Sequence, residues 1–213
     1  MTENKIHLKN VIHAGADLQN ASKALIMIHG RRANAEDILS LANHLNVKGF
    51  ALLAPQATNY SWYPYSFMAP VSQNEPWLSS ALSLVKDTVN EVIAKGISEE
   101  NIYFTGFSQG ACLTLEFIAR NAAKYGGVAA FTGGLIGDRL DPKTYKGDFK
   151  SMPVFIGSSN PDPHVPVERV NETTKILREM NASINEKIYQ NMGHTISQNE
   201  IDVANEWVFK NAV

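Results

Sequence analysis

The sequence predicts an α/β fold with a mostly parallel central sheet and helices on both faces. Three observations predict it. Short apolar runs and stretches of helical periodicity take turns along the chain, the pattern of strands joined by crossover helices. Runs such as Leu25-Ile26-Met27-Ile28 show no alternation of apolar and polar residues, because strands covered on both faces need none. The third observation is the pentapeptide Gly106-Phe107-Ser108-Gln109-Gly110, set between the apolar run Ile102-Tyr103-Phe104 and a helix-like stretch from Ala111 to Arg120. It reads as strand, tight turn and helix, with a serine at the tip.

In chain order, a weakly alternating start at Ile6 and Leu8 precedes strands over 24–28, 50–54, 102–105, 128–132, 154–156 and 184–189. Asn34 caps a helix whose first turn is acidic, with Glu36 and Asp37, and whose apolar face holds Ile38, Leu41, Ala42 and Leu45. Trp77, Leu78, Ala81, Leu82, Val85, Val89, Val92 and Ile93 recur at helical spacing between Pro76 and Gly96. The last helix opens on a capping box, Ser197-Gln198-Asn199-Glu200, and continues through Ile201, Ala204, Trp207 and Val208. Two stretches break the alternation. Residues 55–76 are rich in Tyr, Trp, Pro and Ser and carry one charge, Glu75; residues 133–152 contain Asp138, Asp141 and Asp148. Both are too long for plain connectors, and both follow strands, so both belong at the carboxyl edge of the sheet, where ligands bind in open α/β folds.

Size and composition narrow the function classes. A chain of 213 residues suits one domain with a large core. With 19 basic and 21 acidic residues the net charge is -2 and there is no run of like charge, so neither nucleic acid nor an anionic membrane surface is an expected partner. Residues 1–20 lack the basic start and apolar core of a signal peptide, and no apolar stretch reaches membrane-spanning length, which leads to the expectation of a cytoplasmic protein with no stable membrane insertion. The single cysteine, Cys112, lies one helical turn after Ser108 and reads as a small buried filler. No histidine clusters with the aspartates after Gly137, so neither a metal nor an organic cofactor is expected.

A serine hydroxyl becomes a nucleophile at neutral pH only when a base within hydrogen-bond reach takes its proton and a third group fixes that base. With a serine on a strand–helix turn the expected chain order is Ser, then an acid, then His. Only His164 and His194 follow Ser108. His164 stands two residues from the acid Asp162, with little room to be oriented by it while reaching the serine. His194 follows the last predicted strand and leaves the sheet at the same edge as Ser108, so it is the expected base. Asp162 follows the strand over 154–156; Asp138, Asp141 and Asp148 follow the strand before it. The later loop neighbours the strand leading to His194, yet order alone leaves all four open. An oxyanion hole needs two N–H donors. The expected pair is the amide of Gln109, directly after the serine, and that of Arg31, in the loop His29-Gly30-Arg31-Arg32 that follows the strand over 24–28. Gly30 lets that loop approach the substrate, His29 is expected to support it by hydrogen bonding, and the arginine side chains read as facing solvent. Trp62 and Tyr63, on the nearly uncharged aromatic segment, are expected to line the acyl or alcohol pocket. An apolar wall favours a neutral ester.

The combination of Ile28-His29-Gly30, Ala54-Pro55, Gly106-Phe107-Ser108-Gln109-Gly110-Ala111, Asp162-Pro163-His164-Val165-Pro166 and Gly193-His194 resembles the phospholipase/carboxylesterase family of α/β-hydrolases, which includes acyl-protein thioesterases and small bacterial carboxylesterases. The resemblance runs over nearly the whole chain after about Lys23. It implies a single α/β-hydrolase domain over 1–213 with a minimal lid, a triad of Ser108, Asp162 and His194, and an oxyanion hole from the Arg31 and Gln109 amides. It also raises Asp162 above its three rivals. One position departs from the family: Arg32 stands where members commonly carry a second glycine. An arginine forced to positive φ there costs roughly 1 kcal/mol or more.

The leading expectation is hydrolysis of small-molecule carboxylic esters, or thioesters, through an acyl-enzyme, by a monomer or homodimer. A lysophospholipase or acyl-thioesterase is the alternative within the same chemistry. A ligand-binding protein that keeps the fold without catalysis is the alternative outside it.

Overall fold

The computed structural model describes residues 6–210. Its centre is a seven-stranded sheet of β1 (Val11–Gly15), β2 (Ala24–Ile28), β3 (Ala51–Pro55), β4 (Ile102–Phe107), β5 (Gly127–Phe131), β6 (Pro153–Asn160) and β7 (Ser183–Gln190), in the order β1-β3-β2-β4-β5-β6-β7. β1 runs antiparallel to β3, and every other neighbouring pair is parallel. Between the strands lie helices α1 (Ala35–Ser40), α2 (Val71–Asn74), α3 (Trp77–Ala94), α4 (Gln109–Arg120) and α5 (Val167–Glu179), and α6 (Gln198–Trp207) follows β7.

Two apolar cores, one on each face, explain why the inner strands are apolar throughout. Ile26, Ile28, Phe104, Val128 and Ile156 pack with α3, α4 and α5 on one face. Leu25, Met27, Phe131 and Phe155 pack with α1 and α6 on the other. Successive residues of one strand thus enter opposite cores.

Elements differ from the sequence reading where pairing overrides local preference. β4 continues past Thr105 through Gly106 and Phe107, because β2 and β5 pair with it up to the turn, Ile28 opposite Gly106 and Phe107 opposite Phe131. β6 runs to Asn160 because β7 pairs with it throughout, as far as Asn160 opposite Gln190. Its Gly157-Ser158-Ser159 stretch has poor strand propensity, which a paired neighbour outweighs. β5 stops at Phe131, with Thr132 turning to φ 57. The alternating start gives no strand at Ile6 or Leu8, and Leu8 is 72% exposed. The first strand is instead β1, an exposed edge of pattern Val-Ile-His-Ala-Gly that carries no alternation. Helix α5 has no counterpart in the reading because its buried face includes Arg169, Thr173 and Thr174 beside Val170, Ile176 and Leu177, which hides the apolar period. Both expected capping structures form: Asn34 with Asp37 at α1, and Ser197 with Glu200 at α6.

The strand order reverses between β2 and β4, the switch point at which an open α/β sheet leaves a crevice above its carboxyl ends. The loops carrying Gly30, Tyr63, Ser108, Asp162 and His194 all leave strands at that edge. Among the described residues, no helix is long and apolar enough to cross a membrane.

Candidate active site

The turn at Ser108 is made possible by missing side chains. Ser108 has φ 54 and ψ -120, a strained conformation held between β4 and α4. A Cβ on Gly106 would stand 2.6 Å from the Gly110 carbonyl carbon, and one on Gly110 would collide with the Ile28 carbonyl oxygen. Strand and helix can touch only with glycine at both places. The Ser108 N–H donates to the Phe131 carbonyl at 3.0 Å, and the Ser108 carbonyl accepts the Cys112 N–H at 3.0 Å. Gln109 is the first residue of α4, so its N–H is among the donors that a helix start leaves without an intrahelical partner.

From the far edge of the sheet, β7 delivers His194. The Asn191 N–H donates to the Asn160 carbonyl at 3.0 Å. Gly193, at φ 82, donates its N–H to the Ser159 hydroxyl at 2.9 Å. The His194 ring then bridges two groups: Nε2 lies 2.9 Å from Ser108 Oγ, and Nδ1 lies 2.9 Å from Asp162 Oδ2. An ionised Asp162 fixes the tautomer with the proton on Nδ1, leaving Nε2 to accept from the serine. The ring also packs against Phe107 at 5.1 Å and edge-on against His164 at 4.9 Å between centroids.

The Asp162 side chain is fully buried, and its second oxygen accepts the N–H groups of His164 at 2.8 Å and Val165 at 2.9 Å. Burial by itself raises its carboxyl; the bonds from the His164 amide, the His194 ring and the Val165 amide outweigh it and hold the group below the ordinary carboxylate value. Of the rival acids, Asp141 and Asp148 accept the amides of Lys143 and Lys150, and it is Asp162 whose carboxylate meets the His194 ring. His164 contributes its amide to Asp162 and its ring to the packing of His194.

The loop after β2 abuts the serine, a Cβ on Gly30 falling 3.6 Å from Ser108 Cβ. His29 is fully buried beneath it. Its Nδ1–H donates to the Gly30 carbonyl at 2.7 Å, and its Nε2 accepts the Ala57 N–H at 3.1 Å. Burial lowers its pKa against the opposing effect of the Gly30 bond, so the ring stays neutral and can keep both roles. Residues Gly30 to Ala33 form a turn closed by the Ala33 N–H on the Gly30 carbonyl at 3.2 Å. Arg32 occupies its third position at φ 67, where a type II turn ordinarily places Gly or Asn.

The Arg31 side chain does not simply face solvent. Its guanidinium donates to three consecutive carbonyls, those of Tyr63 at 2.9 Å, Pro64 at 2.8 Å and Tyr65 at 2.6 Å. The Gln109 side chain holds the same loop, accepting the Trp62 N–H at 3.0 Å and donating to the Tyr63 carbonyl at 2.9 Å. Sequence reasoning missed both clamps, because main-chain acceptors leave no mark on residue type.

A cleft of about 570 Å³ opens over Ser108 and His194, with Tyr63, Phe67, Phe107 and Val165 among its walls. Trp62 does not line it, contrary to expectation. It is fully buried under the loop, with its indole N–H on the His29 carbonyl at 2.8 Å, so the ring braces the Gly30 turn instead. The floor also holds Cys112, whose thiol burial pushes up to about 12, leaving it a protonated and unreactive neighbour. Among the described residues there is no cluster of three or more His, Cys, Asp or Glu that could hold a metal.

A family model described as Phospholipase/Carboxylesterase matches residues 10–211. A crystal structure of a phospholipase/carboxylesterase from Dyadobacter fermentans DSM 18053 superposes with a TM-score of 0.94 at 57% identity, covering 95% of this chain and 97% of that one. The chain is 27% identical to "Acyl-protein thioesterase 1" of Kluyveromyces lactis, over 90% of this chain and 93% of that protein. It is 28% identical to "Probable carboxylesterase SOBER1-like" of Arabidopsis thaliana, over 72% of this chain and 62% of that protein.

Proposed function

The chain belongs to the phospholipase/carboxylesterase family, and from that premise we propose that it is a serine hydrolase cleaving carboxylic esters of apolar acyl or aryl groups through an acyl-enzyme on Ser108. One observation carries the reading: a single imidazole, His194, is within 2.9 Å of both a strained serine hydroxyl and a buried carboxylate. Ser108 Oγ attacks the ester carbonyl while Nε2 of His194 takes its proton. The imidazolium protonates the departing alcohol, and the same nitrogen then activates the water that releases the acid. Asp162, held ionised by two amides, orients the ring and stabilises its cation.

The negative charge that develops on the carbonyl oxygen is assigned to the amides of Gln109 and Arg31, a pair in which each donor is worth about 2.7–4 kcal/mol of barrier. Arg31 and Gln109 also tie down the Tyr63 loop with their side chains, so the donors and one pocket wall move as a unit. Thioesters fit the same chemistry, a reading favoured by the similarity to an acyl-protein thioesterase along nearly its whole length.

Incubation with a short-chain p-nitrophenyl ester, and labelling with a fluorophosphonate, test the proposal. Turnover and labelling that both vanish in Ser108→Ala support it, and dispose of the reading as a ligand-binding protein. A folded wild type that neither turns over nor labels refutes it.

A further inference from the structure

The cleft over Ser108 has an uneven electrical character. Its walls are largely apolar, yet its lining carries two cations, Arg31 and Arg32, and among the described residues no Asp or Glu. Arg31 is committed, its guanidinium spread over the carbonyls of residues 63–65. Arg32 is not: it is exposed, and no ion pair among the described residues involves it. The nearest acids in sequence are otherwise placed. Asp37 closes the capping box with Asn34, and Glu36 lines a separate cleft beside Asn34 and Tyr60.

Arg32 also stands on a backbone better suited to glycine than to arginine. It holds φ 67 at the third position of the Gly30–Ala33 turn, with its own N–H fixed on the Tyr60 carbonyl at 2.8 Å. A glycine would relieve the strain that this φ imposes on a side chain. Strain of this kind concentrates where a side chain has work to do. Burial lowers the Arg31 pKa against the opposing effect of Tyr63, and the like charge of Arg32 across the turn adds to the lowering. An anion at the rim would relieve that repulsion, and no described residue of the cleft lining supplies one.

We infer that Arg32 is a specificity-determining residue that selects esters with an apolar body and a carboxylate placed to reach the cleft rim, in place of the neutral ester that the uncharged aromatic segment leads one to expect. The inference rests on the hydrolase reading of Ser108. The ester bond lies over the serine, the apolar portion lies against Tyr63, Phe67 and Val165, and the carboxylate meets the Arg32 guanidinium. The carboxylate can belong to the acid portion or to the alcohol portion, and the test separates the two.

The test compares kcat/KM for matched ester pairs. In the first arm a p-nitrophenyl hemiester of a short dicarboxylic acid is set against its neutral isostere; in the second, the butyrate ester of 4-hydroxybenzoate is set against the butyrate ester of its methyl ester. In one arm the anionic-to-neutral ratio is expected to fall about fivefold in Arg32→Gln, the scale of an exposed ion pair. It is retained in Arg32→Lys, which carries the charge at the same strained position. Arg32→Gly, which relaxes the turn, reproduces the Gln result and shows that a distorted loop is not the cause. The wild-type ratio also falls as ionic strength rises from about 0.05 to 0.5 M. A ratio unchanged by Arg32→Gln in both arms overturns the inference while leaving the hydrolase intact. A wild type that cleaves none of the four esters, and whose Ser108 resists a fluorophosphonate, overturns both.

Discussion

The amide oxygen of the Gln109 side chain accepts the Trp62 N–H at 3.0 Å, so the residue directly after the turn serine is bonded to the aromatic loop that follows β3. Its amide nitrogen completes the grip on the Tyr63 carbonyl. Gln109→Ala leaves a buried Trp62 N–H without its acceptor, a loss of about 1–3 kcal/mol. The expected outcome is a lower urea midpoint and a raised KM, with kcat less affected because the Gln109 main-chain donor survives. Denaturation curves and steady-state kinetics on a p-nitrophenyl ester measure both.

Arg31→Lys keeps the charge and loses the fork. One ammonium cannot span the three carbonyls of Tyr63, Pro64 and Tyr65 in the planar geometry of a guanidinium. Hydrogen exchange over residues 60–67 is expected to quicken, and KM to rise more than kcat falls. Unchanged exchange would show that the clamp does not hold the loop.

Asp162→Asn isolates the orientation of the base. The Asn carbonyl can keep the His164 and Val165 amides, which turns its NH₂ toward His194 and forces the ring proton onto Nε2. With Nε2 no longer free to accept from Ser108, kcat is expected to fall by about three to four orders of magnitude while the fold is kept. Circular dichroism and the ester assay together provide the check.

Gly110→Ala places a methyl group against the Ile28 carbonyl oxygen, inside the contact between β2 and α4. A loss of at least about 2 kcal/mol is expected, because backbone must move to admit it. Gly49→Ala is the converse case: unlike Gly110, Gly49 holds a positive φ, at 83, and a Cβ there meets open space, so only the backbone penalty applies. Thermal melts of the two variants distinguish crowding from conformation.

Of the three residues that meet at the site, Ser108 and His194 are legible from sterics and chain order, whereas Asp162 stands above its three rivals only through the family resemblance. Gly106 and Gly110 announce the serine turn, and His194 is the histidine that a last strand would hand to the same edge. Other parts were hidden for physical reasons. Gly157-Ser158-Ser159 in β6 is strand only because β7 pairs with it. The face of α5 is built partly from Arg169 and threonines. Trp62 shows the limit of composition: an uncharged aromatic segment at the right edge does not reveal which ring faces the cleft and which props the floor.

Stability is expected to depend on pH through two buried histidines and one buried glutamate. Burial, opposed by one backbone hydrogen bond in each case, lowers both His7 and His29 from 6.5. The unfolded chain therefore binds more protons just below that value, so their contribution is intact above 6.5 and is lost as pH falls toward their folded values. Glu200 acts in the opposite sense: burial raises it from 4.5, so its contribution is complete below 4.5 and is lost as pH climbs through the folded value. Urea midpoints should decline from about pH 7.5 to about pH 5.5, and more steeply in Glu200→Gln, where the opposing contribution is gone. A profile that is flat in both proteins contradicts this assignment.

Among the described residues β7 has a partner strand on one side only, and it is the strand that leads to His194. The proposed proton acceptor is thus hung from the rim of the scaffold, whereas the serine is rooted near its middle between β2 and β5. Regions with fewer supporting bonds open first when a protein is warmed or exposed to denaturant. Loss of turnover should accordingly precede global melting, making enzymatic silence an early reporter of fraying at a single border of the molecule.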